Sequence, residues 1–132
     1  MFLSRLNNEQ KELFLELAMK AAEVNGIVEL EEKNMLKCFA IEMNIAPIYG
    51  TDKRVEDIVN RIVDISSEKE LRIILFEILG IIVSDSVFDE SEQAFVNWLF
   101  EKCNIEYALA EQMLVLLTDY LKVYQKIVHV VL

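Results

Sequence analysis

Apolar residues recur along most of the chain at helical spacing, and the gaps between runs fall at residues that cap or stop helices. Asn7 or Asn8 can cap a first helix. In it Leu6, Leu13, Phe14, Leu17, Ala18, Ala21 and Val24 follow a 3.6-residue period, with Glu9, Glu12, Glu16 and Glu23 on or near the other side. Asn25-Gly26 ends that run. A second helix, from about Leu30 to Met43, turns Met35, Leu36, Phe39, Ala40 and Met43 inward. Pro47, followed by Tyr49, Gly50 and Thr51, marks the longest break. The third helix, Val55 to about Ile65, buries Val55, Ile58, Val59, Ile62 and Val63 and exposes Glu56, Asp57, Asn60 and Arg61.

Ser67 with Glu70, and Asp89 with Glu92, have the spacing of a capping box, in which two otherwise unpaired amides at a helix start are satisfied reciprocally. They open a fourth helix reaching about Ser84 and a fifth that buries Ala94, Phe95, Trp98 and Leu99. The fourth is apolar nearly all round and therefore belongs at the centre of a bundle. From Glu106 onward Leu114, Leu117, Leu121, Tyr124, Val128 and Val131 recur at helical spacing, interleaved with Lys122, Gln125, Lys126 and His129. The pattern allows a break near Thr118-Asp119, and the β-branched run from Ile127 to Leu132 allows an extended ending. The apolar stripe through Tyr120, Leu121, Tyr124, Ile127, Val128 and Val131 is expected to pack on the bundle, with an isologous homodimer through this helix as the alternative.

Composition narrows the class. Only 3 Gly and 1 Pro in 132 residues argue against a turn-rich sandwich or barrel, and 54 % hydrophobic residues supply a sizeable core. The expectation is an all-α, single-domain bundle of six to seven helices. The net charge of −10 disfavours nucleic acid and anionic lipid, leaving cations, basic peptides and apolar protein surfaces as partners. The most apolar stretch, Leu71 to Val83, is interrupted by Arg72 and Glu77 and is too short for a transmembrane segment. Cys38 and Cys103 have no CxxC spacing and one His for company, so a zinc site or disulfide framework is not expected. Both read as buried thiols in a reducing cytoplasm.

Shifting the chain by 60 residues aligns Ala22–Ile45 with Ile82–Ile105 without a gap. Glu32/Glu92, Asn44/Asn104 and Ile45/Ile105 are identical, and Asn25/Asp85, Ile27/Val87, Glu29/Asp89, Met35/Phe95 and Leu36/Val96 are alike. Turn, cap and apolar phase coincide as well. Residues 8–65 and 67–117 thus read as two halves, each contributing a helical hairpin, related by a pseudo-two-fold axis. The register places Cys38 opposite Trp98 and Cys103 opposite Met43, all core-facing positions.

The repeated corner, Asn25-Gly26-Ile27-Val28-Glu29 to Glu32 and Asp85-Ser86-Val87-Phe88-Asp89 to Glu92, resembles the doubled Asp-Gly-x-x-x-x-x-Glu signature of the tellurite-resistance TerB-like family. The likeness runs from about Glu9 to Ile105. It implies a helical bundle with two related halves, acidic residues near the turns as candidate metal ligands, and a non-catalytic role in bacterial tellurite-resistance and stress-response systems. Two departures from that signature are Asn25 in place of Asp and Ser86 in place of Gly.

Read by their own chemistry, Asp85, Asp89 and Glu92 put three carboxylates within eight residues, a donor set suited to calcium or magnesium. Asn25, Glu29 and Glu32 form the corresponding, weaker set. The competing reading makes Asp89 and Glu92 cap residues and nothing more. Catalysis is not expected: His129, the one histidine, lies near the end of the last helix, and no Gly-rich phosphate loop is present. The overall expectation is an accessory or scaffold protein, with or without a divalent cation at its two corners. The alternative is a protein-interaction module whose acids serve as caps and solubilising charge.

Overall fold

The computed structural model describes residues 1–83 and 89–132. Among these the secondary structure is helical throughout: a single 3-10 turn, Leu3–Arg5, then α1 (Asn8–Val24), α2 (Glu29–Met43), α3 (Val55–Ile65), α4 (Glu68–Val83), α5 (Glu90–Lys102) and α6 (Tyr107–Val131). One connected apolar core runs through all six α-helices, from Leu3 to Leu117.

The sequence explains the helix starts. Asn7 accepts the Gln10 amide through Oδ1 at 2.9 Å while Gln10 Oε1 accepts the Asn7 amide at 2.9 Å. Ser67 and Glu70, 60 residues on, form the same box at 3.2 and 2.8 Å. The helix ends are equally regular. The Ile27, Ile45 and Ile105 amides each donate to the carbonyl five residues back, at Ala22, Ala40 and Phe100. These are Schellman closures around a left-handed residue: Gly26 at φ 69, Asn44 at φ 56 and Asn104 at φ 54. Asn44 and Asn104 are again 60 apart and share their backbone geometry, and the boxes at Asn7 and Ser67 carry the 60-residue correspondence back to the starts of α1 and α4.

Burial follows the same register. Phe14, Leu15, Ala18, Met19, Ala21 and Ala22 of α1 are buried, as are Ile74, Leu75, Ile78, Leu79, Ile81 and Ile82 of α4. Leu36, Ala40 and Met43 answer to Val96, Phe100 and Cys103. Helix α1 packs on α2, α3 and α4, and α4 packs on α1, α5 and α6. The expected centre is therefore shared: α4 has α1 as its counterpart. Gln10, fully buried, ties the start of α1 to the end of α3, donating from Nε2 to Ile65 O at 3.3 Å and to Ser66 Oγ at 3.0 Å.

Several expectations need correction. Ala94 is exposed, because it sits about 200° round the helix from buried Val96. Glu16 is buried, not solvated; it accepts from Thr51 Oγ1 at 2.5 Å and Lys53 Nζ at 2.9 Å, which pins the loop after α2 to α1. Cys38 is exposed although its counterpart Trp98 is half-buried. Helix α5 packs on α1, α3 and α4, whereas α2 packs chiefly on α1 and the short 3-10 turn, and so α2 is less covered. Met35, Phe39, Val55, Val63 and Phe95 are half-buried at the edge of the core. Neither a break at Thr118-Asp119 nor an extended ending occurs: α6 is continuous to Val131, and Thr118 Oγ1 donates back to Leu114 O at 2.8 Å.

Candidate functional site

The two corners are the first place to look. At the second, Asp89 is the N-cap of α5: its Oδ1 accepts the Glu92 amide at 2.8 Å and the Ser91 hydroxyl at 3.1 Å. The bond from the Glu92 amide holds the Asp89 carboxyl below its ordinary value. Glu92 is buried at 3 % exposure. Asp85 lies outside the described residues.

At the first corner, Asn25 closes α1 and donates from Nδ2 to Ile81 O at 3.1 Å, a link between the C-terminal ends of α1 and α4. Glu29 is turned to solvent, 3.3 Å from Lys33 Nζ. Glu32 is half-buried, and its carboxyl is pushed up by burial and then by the neighbouring Glu23 and Glu29. Among the described residues no group of three or more Asp, Glu, His or Cys side chains is gathered closely enough to hold a metal ion. Thus Asn25 bonds to Ile81 and Glu29 to Lys33, while Glu32 feels Glu29 and Glu23 only as like charges.

The thiols and the histidine are equally separate. Cys103 is buried, and desolvation pushes its pKa up to about 11, which makes it a poor nucleophile. Cys38 is exposed on α2, and His129 is exposed near the end of α6.

A different feature is larger than either corner. Helix α6 is 25 residues long, roughly 37 Å at 1.5 Å per residue. Its first half is seated on α4 through Ala110, Met113 and Leu117. The same stripe then leaves the bundle: exposure rises from 6 % at Leu117 to 53 % at Tyr124 and 70 % at Val131. Tyr120 and Tyr124, one turn apart, stack with ring centroids 6.3 Å apart. Val123, Ile127 and Val130 widen the exposed apolar face.

Beside the point of departure lies a cleft of about 780 Å³. Leu117, Tyr120 and Leu121 form its α6 wall, and Met35, Phe39 and Phe76 contribute further apolar lining. Glu31, Glu42 and Glu77 supply its negative charge. The Met1 ammonium pairs there with Glu77 and, at 3.4 Å, with Glu42. Burial lowers its pKa, but these two carboxylates more than reverse that, and the net shift is upward.

The sequence identifies the stripe but not its fate. Helical periodicity says which residues share a face; it does not say where the bundle stops covering that face. Of the stripe expected to pack in cis, Leu117 is buried and Leu121 and Val128 are half-buried, whereas Tyr120, Tyr124, Ile127 and Val131 are exposed. The cleft has no sequence signal, since its walls come from α2, α4 and α6. Among the described residues no helix is long and apolar enough to cross a membrane. The chain matches no protein-family model, no curated protein and no solved structure.

Proposed function

We propose that this chain is a non-catalytic protein-interaction module, an accessory or scaffold element whose working surface is the second half of α6 with the cleft at its base. The observation that carries this reading is a contiguous apolar helix face, Tyr120 to Val131, left about half or more exposed over most of its length. Single exposed apolar residues are ordinary, but contiguous patches of this kind mark contact sites. Stacked tyrosines suit such a site, because they supply large, stiff, amphipathic contacts.

The doubled hairpins support the setting implied by the TerB-like resemblance, an accessory role in bacterial stress or tellurite resistance. Two unpaired thiols suit a reducing cytoplasm. A calcium or magnesium role at the corners has less support, since Asp89 acts as a cap, Glu29 pairs with Lys33, and Asn25 bonds to Ile81.

A photoreactive amino acid at position 124, introduced into the full chain in the cells that make it, tests the reading. Discrete crosslinked species are expected at 124 and not at exposed position 102 on α5. Equal diffuse background at both positions would overturn the reading.

A further inference from the structure

We propose that the partner is a second copy of this chain: two copies pair through the second half of α6 as an antiparallel, isologous helix dimer, the last turns of each α6 lying against the acidic cleft of the other. This rests on the interaction reading above and names its partner.

The register is the first argument. A two-fold interface requires the same patch on both copies, with residue i meeting j and j meeting i. Centred on Tyr124, an antiparallel pairing sets Tyr124 against Tyr124, Tyr120 against Val128, and Leu121 against Ile127. Every one of these pairs is apolar or aromatic; Tyr120, Tyr124 and Ile127 are exposed, and Leu121 and Val128 are half-buried.

Continuity is the second. In this register Val128 and Ile127 of one copy arrive beside Tyr120 and Leu121 of the other, which form the α6 wall of the cleft. The incoming helix is thereby brought to the mouth of the cleft, whose further apolar lining includes Met35 and Phe39.

Charge is the third. The whole chain stands at −10, but the stripe through Tyr120, Leu121, Tyr124, Ile127, Val128 and Val131 carries no acid, so two copies can bring this face together without setting carboxylates against each other. The same net charge disfavours an anionic lipid surface as the occupant.

Area is the fourth. With side chains of the usual size, the exposed apolar surface from Tyr120 to Val131 comes to roughly 700 Å² per copy, close to the ~800 Å² per partner of a standard specific interface.

Sedimentation of the full chain from about 1 μM to about 1 mM is the direct test. A reversible monomer–dimer equilibrium is expected, weakened at least tenfold by Tyr124→Asp with the monomer's melt retained. In a Cys38→Ser background, Tyr124→Cys should crosslink to itself under mild oxidant while Val115→Cys should not, because only position 124 lies on the axis. A chain that stays monomeric throughout would overturn the dimer, as would a dimer indifferent to Tyr124→Asp. If that monomer still gives discrete crosslinks from position 124 to another protein, the dimer fails and the interaction reading stands. If it instead binds vesicles of phosphatidylcholine and phosphatidylglycerol and gives no protein crosslinks, both fail.

Discussion

Asn44 and Asn104 occupy left-handed backbone, where asparagine is tolerated and other side chains with a Cβ are strained. Asn44→Ala and Asn104→Ala should each cost about 1 kcal/mol in denaturant unfolding, and the corresponding Gly substitutions should cost less or stabilise. Similar values at both sites are the expected result, since the two closures share their geometry. Glu32 makes a pH prediction of definite sign. Its folded pKa is raised above the ordinary 4.5 by burial and by Glu23 and Glu29, so its protonated form is favoured in the fold. Its contribution is therefore fully present below the unfolded value and lost as pH rises through the higher folded value. Glu32→Gln should raise the melting temperature at pH 7, and the gain should vanish once the pH falls below 4. Asp89 has the opposite sign: its contribution is present above the ordinary 3.8 and lost as the pH falls through the lower folded value. At this scale the sequence is read well where a residue's neighbours are local. It is read poorly at Glu16, whose partner Lys53 is 37 residues away.

Elements were legible to different depths. The helix starts at Asn7, Ser67 and Asp89 follow from side chains that satisfy the first amides, and α3 falls where its apolar period begins and ends. Asn7→Ala and Ser67→Ala should each cost ~1 kcal/mol. Gln10→Leu should cost more, roughly 2 kcal/mol, because it removes bonds to Asn7, Ile65 and Ser66 from a fully buried position. Within α4, a Cβ on Gly80 would stand 3.9 Å from Leu117 Cδ2, an ordinary contact. Gly80→Ala should therefore stabilise by up to ~1 kcal/mol through helix propensity. The end of α6 was the element read least well. β-branched residues from Ile127 onward favour strands when a sheet is available to receive them. With no such neighbour among the described residues, the local helix continues to Val131.

For the whole molecule, the 60-residue correspondence accounts for much of the core and also for what the core leaves open. Helices α1 and α4 bury matching faces, and α2 and α5 bury corresponding positions. The third elements differ: α3 is 11 residues long and α6 is 25, so the extra length of α6 has no counterpart in the first half and nothing in the bundle long enough to cover it. The sequence showed the two halves through cap and phase. It did not show the uncovered face, because that depends on the unequal lengths of elements that meet only in three dimensions. Amide hydrogen exchange measured along α6 at low and high protein concentration tests this most directly. At low concentration the amides from Met113 to Leu117 should be protected and those from Lys122 to Val131 should exchange fast, since a projecting helix of this length is marginal alone. At high concentration protection should appear from Lys122 to Val131 and around Met35 and Phe39 together. Strong protection of Lys122 to Val131 at every concentration would mean that the bundle already covers this face, and would contradict the account.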